Sequence, residues 1–281
     1  RHTLPQIVDC AGALGMTDPA LFGGAIPICG AAGDQQAATI GQACLRLGDT
    51  KATFGTGAFV LANAGPVIPR SGHRLLSTVL HQLGGVRHYA LEGSVFVAGS
   101  LIKWLRDGVG MLASAAETEE LARAVPDNGG VYFVPALSGL GAPHWRPDAT
   151  GQISGLTFAT TKAHIARAAL ESVSTQAHDL KEAFAADQVR WERLKIDGGM
   201  AANDWLAQDL ADILDLPVER PDFVETTALG AAMLAGVGVG VFASLEDATV
   251  MRKGLHSFMP SMAPEVRQKR LSGWRAALAR L

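Results

Sequence analysis

Three segments of the sequence share one pattern, in which a short apolar run is broken by glycines and followed by a polar residue. They cover residues 26–46, 51–63 and 193–214, and their polar residues are Asp34, Thr56 and Asn203. Short apolar runs between turn residues predict buried strands, and the glycines at their ends predict sharp turns. We therefore expect three turns at strand ends, where a ligand can come close to the backbone.

The first segment places a single carboxylate at the start of a predicted helix. A strand is predicted from Ile26, a turn at Gly30 and Gly33, and then a helix whose first residue or N-cap is Asp34. The positive end of a helix favours an anion, so we expect an ionised carboxylate that can accept a proton from a substrate hydroxyl. The alternative is that Asp34 only caps the helix, and this segment taken alone favours the cap.

The second segment predicts two strands joined at Gly55-Thr56-Gly57. Such a turn can present backbone N–H groups and the Thr56 hydroxyl to an anion such as phosphate. The alternative, which the turn alone favours, is a plain hairpin in which glycine supplies a positive φ. Phe59, just beyond the turn, is expected either in the core or lining a pocket.

A helix is predicted over residues 95–109, with an apolar stripe that includes Phe96, Ile102 and Leu105. Gly99 within it lowers helix stability relative to alanine. We therefore expect that another backbone or a flat ligand lies close to Gly99. Lys103, one turn further on, projects from the same face.

The third segment predicts a strand over 193–197, a double glycine, and a helix from Met200 to Leu214. Glycines before a helix let a flat or anionic group lie against the backbone. Asn203, in the predicted first turn, could hydrogen-bond an adenine or a ribose. An ordinary turn with a solvated Asn203 is an equally balanced alternative.

The remaining pattern predicts an α/β fold, because strands and helices alternate in the second half. Further strands are predicted at 75–80, 87–91, 131–137 and 217–220, and further helices at 117–124, 162–186, 226–235 and 264–281. A loop dense in glycine and proline, 138–145, contains His144. With no other histidine or cysteine nearby, we expect His144 to be hydrogen-bonded rather than to bind a metal.

Composition excludes some classes of function. The net charge of −3 and the lack of a basic stripe exclude nucleic acid as an expected partner. Three separated cysteines predict buried free thiols and a cytoplasmic location. The uncharged run 226–245 is rich in glycine, so we expect a buried helix and a loop rather than a membrane span. The chain begins with Arg1 rather than Met, and we expect a fragment or a cleaved product.

Four motifs together resemble the FGGY carbohydrate kinase family. They are Gly33-Asp-Gln-Gln36, Phe54-Gly-Thr-Gly57, Ser138-Gly-Leu-Gly-Ala-Pro-His-Trp145, and Asp197-Gly-Gly199 followed by Asn203. The two glutamines after Asp34 and the Gly-Ala-Pro-x-Trp loop are similar to the glycerol branch of that family. The resemblance implies the C-terminal half of a two-domain sugar kinase with the ribonuclease H-like (actin/hexokinase/Hsp70-like ATPase) fold.

The resemblance also implies domain bounds. Residues 1–48 would be the tail of the N-terminal domain with an interdomain helix, residues 49–256 the nucleotide-binding domain, and residues 257–281 a C-terminal helix.

The resemblance implies a role for each motif residue. Asp34 would be the general base and would contact Mg²⁺ through water, while Gln35 would hold glycerol hydroxyls and Phe59 would pack on the glycerol carbons. ATP would be bound by the following residues: Thr56, Gly57, Gly99, Lys103, Gly199 and Asn203. Thr56 would contact the phosphates, and Lys103 would lie near the adenine, where bacterial relatives commonly carry glutamine.

The implied activity is transfer of a phosphoryl group from ATP to glycerol, which gives glycerol 3-phosphate. The alternatives are a kinase for another polyol or sugar, and a nucleotide-binding module without catalysis. The family's other substrate and phosphate contacts lie in an N-terminal half that this chain lacks, so we expect the chain alone to be inactive. We also expect a homo-oligomer, a dimer or a tetramer.

Overall fold

A computed structural model of the protein describes residues 3–281. Eleven strands occur within this range: β1 Ala11–Met16, β2 Pro27–Gly30, β3 Thr50–Phe54, β4 Ala58–Gly65, β5 Leu76–Leu83, β6 Val86–Val95, β7 Tyr132–Val134, β8 Gln152–Ser154, β9 Leu194–Asp197, β10 Val218–Pro221 and β11 Leu255–Phe258. Seven of them form one sheet in the order β11-β10-β9-β3-β4-β6-β5. Strand β9 runs parallel to β3 and β10, and the other neighbours in this sheet are antiparallel.

Helices cover both faces of this sheet. Their bounds are α1 Pro19–Phe22, α2 Asp34–Gly41, α3 Gly99–Lys103, α4 Glu117–Arg123, α5 Lys162–Ala186, α6 Asp204–Leu214, α7 Thr226–Gly238, α8 Leu245–Ala248 and α9 Pro264–Leu278. The main core lies between the sheet and α5 and α6, and contains Phe54, Leu180 and Leu210. Helix α2 lies on the opposite face, against β3 and β4, and α7 packs on α2 and on the two-stranded β1-β2 sheet. The result is the predicted α/β architecture.

Alternation along β3 assigns its side chains to the two layers. Ala52 and Phe54 belong to the core beneath α5 and α6. Because side chains alternate along a strand, Lys51 and Thr53 point to the other face, which α2 covers. Lys51 is fully buried there.

Helices α2 and α7 cross at glycines whose backbones lie almost in contact. A Cβ on Gly230 would lie 1.8 Å from the carbonyl oxygen of Ala37, and one on Gly41 would lie 2.0 Å from that of Thr226. The first part of the uncharged run forms α7, a helix of 13 residues that ends at Gly238. The predicted burial applies to one side of it, because Leu229, Gly230 and Met233 are buried while Ala228 and Ala232 are exposed. None of the helices described in the structure has the length and apolar character needed to cross a bilayer.

A buried charge cluster fixes the C-terminal helix α9. Arg270 donates to both carboxylate oxygens of Asp209 on α6, at 2.5 and 2.9 Å. Glu171 on α5 lies 3.5 Å from the Arg270 Nε and accepts from Arg167 at 2.9 Å. A buried charge is tolerated only when it is paired, so this cluster ties three helices in one arrangement.

Several predicted elements have different bounds in the structure. The predicted helix 95–109 is wrong at its start, because β6 continues to Val95 and α3 begins only at Gly99; residues 104–108 form a π-helical turn. The predicted strand 131–137 is limited to Tyr132–Val134, and the last helix stops at Leu278. His144 is hydrogen-bonded as predicted, with its Nε2 2.9 Å from Asp179. All three cysteines are free, and Cys10 is only partly buried.

Replacing Gly230 by alanine should destabilise the protein, although alanine is the better helix former. The added methyl group would push α2 and α7 apart, because its nearest neighbours are backbone atoms of Ala37 and Gly41. We expect a loss of about 2–3 kcal/mol in the free energy of unfolding, measured by urea denaturation.

Gly236→Ala on the same helix is the matched control. Its new methyl group meets only the ring of Phe242, at 2.7 Å, and that side chain can rotate. Equal losses in the two variants would contradict the role given to the helix crossing.

Candidate functional site

The turn between β3 and β4 is held by the start of helix α3. The carbonyl oxygen of Gly55 accepts from the N–H of Gly99 at 2.9 Å, and that of Thr56 accepts from Ala98 and Ser100 at 3.0 Å. Gly55 and Gly57 do not have a positive φ, so the prediction that a hairpin needs them for that reason is wrong. Gly57 is required by crowding, since a Cβ there would lie 2.4 Å from the carbonyl oxygen of Val95.

Gly99 has the close backbone neighbour that its place in a helix predicts. A Cβ on Gly99 would lie 2.5 Å from the carbonyl oxygen of Gly55. The contact explains why α3 begins here, because only a residue without a side chain allows the strand turn and the helix to meet.

A second turn follows strand β9. Gly198 has a φ of 87° and lies against Phe54, so a Cβ there would be 2.6 Å from the Phe54 carbonyl oxygen. A Cβ on Gly199 would meet no atom within 4 Å. Gly198 therefore allows the end of β9 to lie against the end of β3, while Gly199 borders open space.

Asn203 is the N-cap of α6, and the helix predicted from Met200 is wrong at its start. Residues Gly199–Ala202 form a 3₁₀ turn instead. The Asn203 Oδ1 accepts from the N–H of Leu206 at 2.9 Å, and its Nδ2 donates to the hydroxyl of Thr118 on α4 at 3.3 Å. Asn203 is therefore not merely solvated, because it connects α6 to α4.

These turns line one cavity of about 790 Å³. Five of the residues predicted to bind nucleotide lie along it, namely Thr56, Gly99, Lys103, Gly199 and Asn203. Gly57, which is also predicted to bind nucleotide, does not line the cavity. Phe54, Ile102 and Met200 give part of the wall an apolar surface. A cavity with apolar walls and a few polar groups at glycine turns suits a small organic ligand.

Sequence reasoning missed the far wall of the cavity. Thr118, Glu119 and Arg106 contribute to it. Glu119 accepts from the backbone N–H of Asp204 at 3.2 Å, which fixes the start of α6 from the α4 side. No motif marks Thr118 and Glu119, because they reach the cavity through the packing of α4 on α5 and α6.

Asp34 lies outside this cavity, at the exposed start of α2. It is the first residue of the helix, and Gly33 is the N-cap. Its Oδ1 accepts from the backbone N–H of Gln35 at 2.8 Å. Within residues 3–281 its Oδ2 has no hydrogen-bond donor, so one carboxylate oxygen is open to a ligand.

The side chain of Gln35 accepts a hydrogen bond from the buried Lys51. Lys51 Nζ donates to Gln35 Oε1 and, at 2.8 Å, to the hydroxyl of Thr53. Burial lowers the pKa of Lys51 to about 8, although the nearby carboxylate of Asp197 acts in the opposite direction. Phe59 is half-buried on β4, where it pairs with Thr53 across the two strands.

A second set of buried hydrogen bonds connects helix α2 to the cavity. Gln42, just after α2, donates from its Nε2 to the Asp197 carboxylate at 2.9 Å, and the hydroxyl of Thr226 donates to the same oxygen at 2.7 Å. Asp197 ends β9 and directly precedes the glycines of the cavity. Helix α2 and the cavity turns therefore belong to one packed unit.

Comparison with known proteins identifies the family. The profile of the FGGY family of carbohydrate kinases, C-terminal domain, matches residues 50–239. Curated glycerol kinases are similar: that of Rhodospirillum centenum is 50% identical over 99% of this chain and 56% of its own length. That of Methylobacterium nodulans is 52% identical over the same shares of the two chains.

Solved structures agree with this result. A crystal structure of Plasmodium falciparum glycerol kinase with ADP has a TM-score of 0.91 and 35% identity, and covers 99% of this chain and 56% of that one. Xylulose kinase from Rhodospirillum rubrum has a TM-score of 0.83 and 25% identity. The chain belongs to the FGGY family of carbohydrate kinases, and the predicted actin/hexokinase-like fold is confirmed. It spans about half the length of the curated relatives it matches.

Burial of Lys51 should make stability depend on pH. Its pKa is about 8 in the folded chain and 10.5 when free. Between these values the unfolded chain holds a proton that the folded chain has released, so stability rises with pH. Relative to Lys51→Met, the unfolding free energy of the wild type should rise by about 3 kcal/mol from about pH 8 to about pH 10.5.

Urea denaturation of both chains across this range measures the difference. The variant is the control for every other group that titrates there. If the difference in unfolding free energy between the two chains did not change with pH, the buried position of Lys51 would be contradicted.

Proposed function

We propose that this chain is the C-terminal, nucleotide-binding half of an ATP-dependent glycerol kinase. The observation that carries the proposal is the cavity at which the turns of Thr56, Gly99 and Gly199 meet, in one packed unit with Asp34. The similarity to curated glycerol kinases over 99% of the chain supports glycerol as the substrate.

ATP would occupy the cavity. Gly199 has open space where a side chain would otherwise stand, so a flat base or a sugar can lie against the backbone there. Thr56 is exposed at its turn and would contact the phosphates. Lys103 and Asn203 would border the base and the ribose.

Asp34 would act as the general base. Its carboxylate is exposed, and its open Oδ2 can accept the proton of a terminal hydroxyl as the oxygen attacks the γ-phosphorus of ATP. The bond between the γ-phosphorus and the bridging oxygen would break, and ADP would leave. Gln35 would donate to a neighbouring hydroxyl, and Phe59 would pack against the carbon chain. Phosphoryl transfer depends mainly on positioning and charge neutralisation, so one carboxylate is sufficient in this half.

The donor groups of this chain suit Mg²⁺ only if water and substrate phosphates also bind the ion. No cluster of three or more metal-binding side chains occurs among residues 3–281. Mg²⁺ is commonly held by one or two carboxylates with water and substrate phosphates, and Asp34 would be the carboxylate from this half. When bound, the ion would neutralise phosphate charge.

Catalysis would require the other half of the fold. We expect the chain alone to bind nucleotide weakly and to transfer no phosphate. Activity is therefore tested in a joined protein, in which this chain is linked at its N-terminus to the N-terminal half of a curated relative. If the joined protein turned over a pentulose or pentitol faster than glycerol, that compound would be assigned as the substrate in place of glycerol.

Asp34→Asn in the joined protein should lower kcat by at least about a hundredfold, the usual contribution of a general base. Binding of ADP, measured by calorimetry, should not change. Asp18→Asn is the matched control, because Asp18 caps α1 with its side chain and asparagine can do the same. Equal turnover in wild type and Asp34→Asn would exclude Asp34 as the base. ATP binding without any transfer in wild type would favour the non-catalytic module.

Gly199→Ala should weaken ADP binding by about tenfold or more, because its methyl group would occupy cavity space that a ligand needs. The fold should be unaffected, since the methyl group meets no atom. Calorimetric titration of the 281-residue chain with ADP measures the first effect, and urea denaturation the second. Gly24→Ala, which is also open but lies outside the cavity, is the control. Unchanged ADP binding would contradict the placement of the nucleotide.

A further inference from the structure

Lys51 is a buried lysine whose ammonium group has no solvent contact to stabilise its charge. Its side chain is fully buried between β3 and α2. An ammonium group in such a place is costly unless several acceptors surround it. The two acceptors it has are Gln35 Oε1 and the Thr53 hydroxyl. Both acceptors are neutral, so burial of the ammonium group lowers stability despite the nearby carboxylate of Asp197.

The contact with Lys51 fixes which way the Gln35 amide is turned. An ammonium group only donates hydrogen bonds, so the oxygen of the carboxamide must face Lys51. The Nε2 group must then face away from Lys51. It donates to no acceptor within residues 3–281 and is not among the buried unpaired atoms, so it remains accessible. Gln35 thus presents a donor on the residue that directly follows the exposed Asp34.

We propose that Lys51 is a positioning residue that locks the Gln35 carboxamide with its Nε2 group toward the substrate hydroxyls, without itself touching the substrate. This inference rests on the proposed function, since Gln35 is a substrate contact only if Asp34 is the base. A donor next to a base distinguishes two hydroxyls of a polyol: one gives its proton to Asp34, and its neighbour accepts from Gln35. Without Lys51 the amide can flip and present its oxygen, which cannot donate.

A matched lysine allows this role to be separated from general support of helix α2. Lys195 lies opposite Lys51 in the parallel β3–β9 pair and is also buried. Its Nζ donates to the carbonyl oxygen of Ala43, just beyond the other end of α2, at 2.9 Å. The two lysines hold opposite ends of one helix, and only Lys51 contacts Gln35.

The experiment is a double-mutant cycle in the joined protein, with Lys51→Met, Gln35→Ala and the double variant. Methionine has nearly the shape of lysine, so the fold should be kept. Each single variant should raise the KM for glycerol by about tenfold, and the double variant should equal either single one, because Lys51 acts through Gln35. The KM for ATP should not change, and kcat should fall by less than about threefold. Lys195→Met should leave the KM for glycerol unchanged.

Three results would overturn the inference alone. They are an unchanged glycerol KM in Lys51→Met, additive effects of about a hundredfold in the double variant, and an equal rise in Lys195→Met. A wild-type joined protein that phosphorylates no polyol would overturn the proposed function and this inference with it. If Lys51→Met does not fold, Thr53→Val replaces it, since it removes the second acceptor of Lys51. We then expect a rise of about threefold in glycerol KM, which vanishes in the Gln35→Ala background; no rise would overturn the inference.

Discussion

The contact between the Gly55-Thr56-Gly57 turn and the start of α3 is the constraint on which the candidate site depends. Two backbones meet there with no side chain between them, and the carbonyl oxygens of the turn accept the N–H groups of residues 98–100. The turn after β9 touches the same strand end through Gly198. The cavity exists because these turns are held together by backbone contacts, which leaves Gly199 free to border open space.

The sequence predicts the parts of this site that depend on local geometry. Gly99 in a helical pattern indicates a close neighbour, and the neighbour is the Gly55 carbonyl oxygen. Asp34 after a glycine turn indicates an exposed carboxylate at a helix start, and the structure places it there. Gly99 lowers the stability of its own helix, so its presence indicates that something lies close to it.

Contacts between distant segments could not be predicted. The helix predicted from residue 95 fails because β6 pairs with β4 as far as Val95, and that pairing overrides the helical spacing of Phe96 and Ile102. Lys51 has no sequence signal beyond being a lysine in a buried strand. Its partner Gln35 lies 16 residues earlier in the chain, and only the packing of α2 on β3 brings the two together. The same holds for Thr118 and Asn203, which are 85 residues apart.

The close crossing of α2 and α7 explains why the sequence of α7 carries no charge. Gly30 and Gly41 lie against the backbone of α7, and Gly230 of α7 lies against the backbone of α2, so parts of this helix pack on main chain rather than on side chains. A side chain cannot be accommodated at such distances, and the helix from Thr226 to Gly238 contains no charged and no aromatic residue. The lack of charge in such a stretch reflects the close approach of two backbones within the protein. It does not indicate that the stretch lies in a membrane.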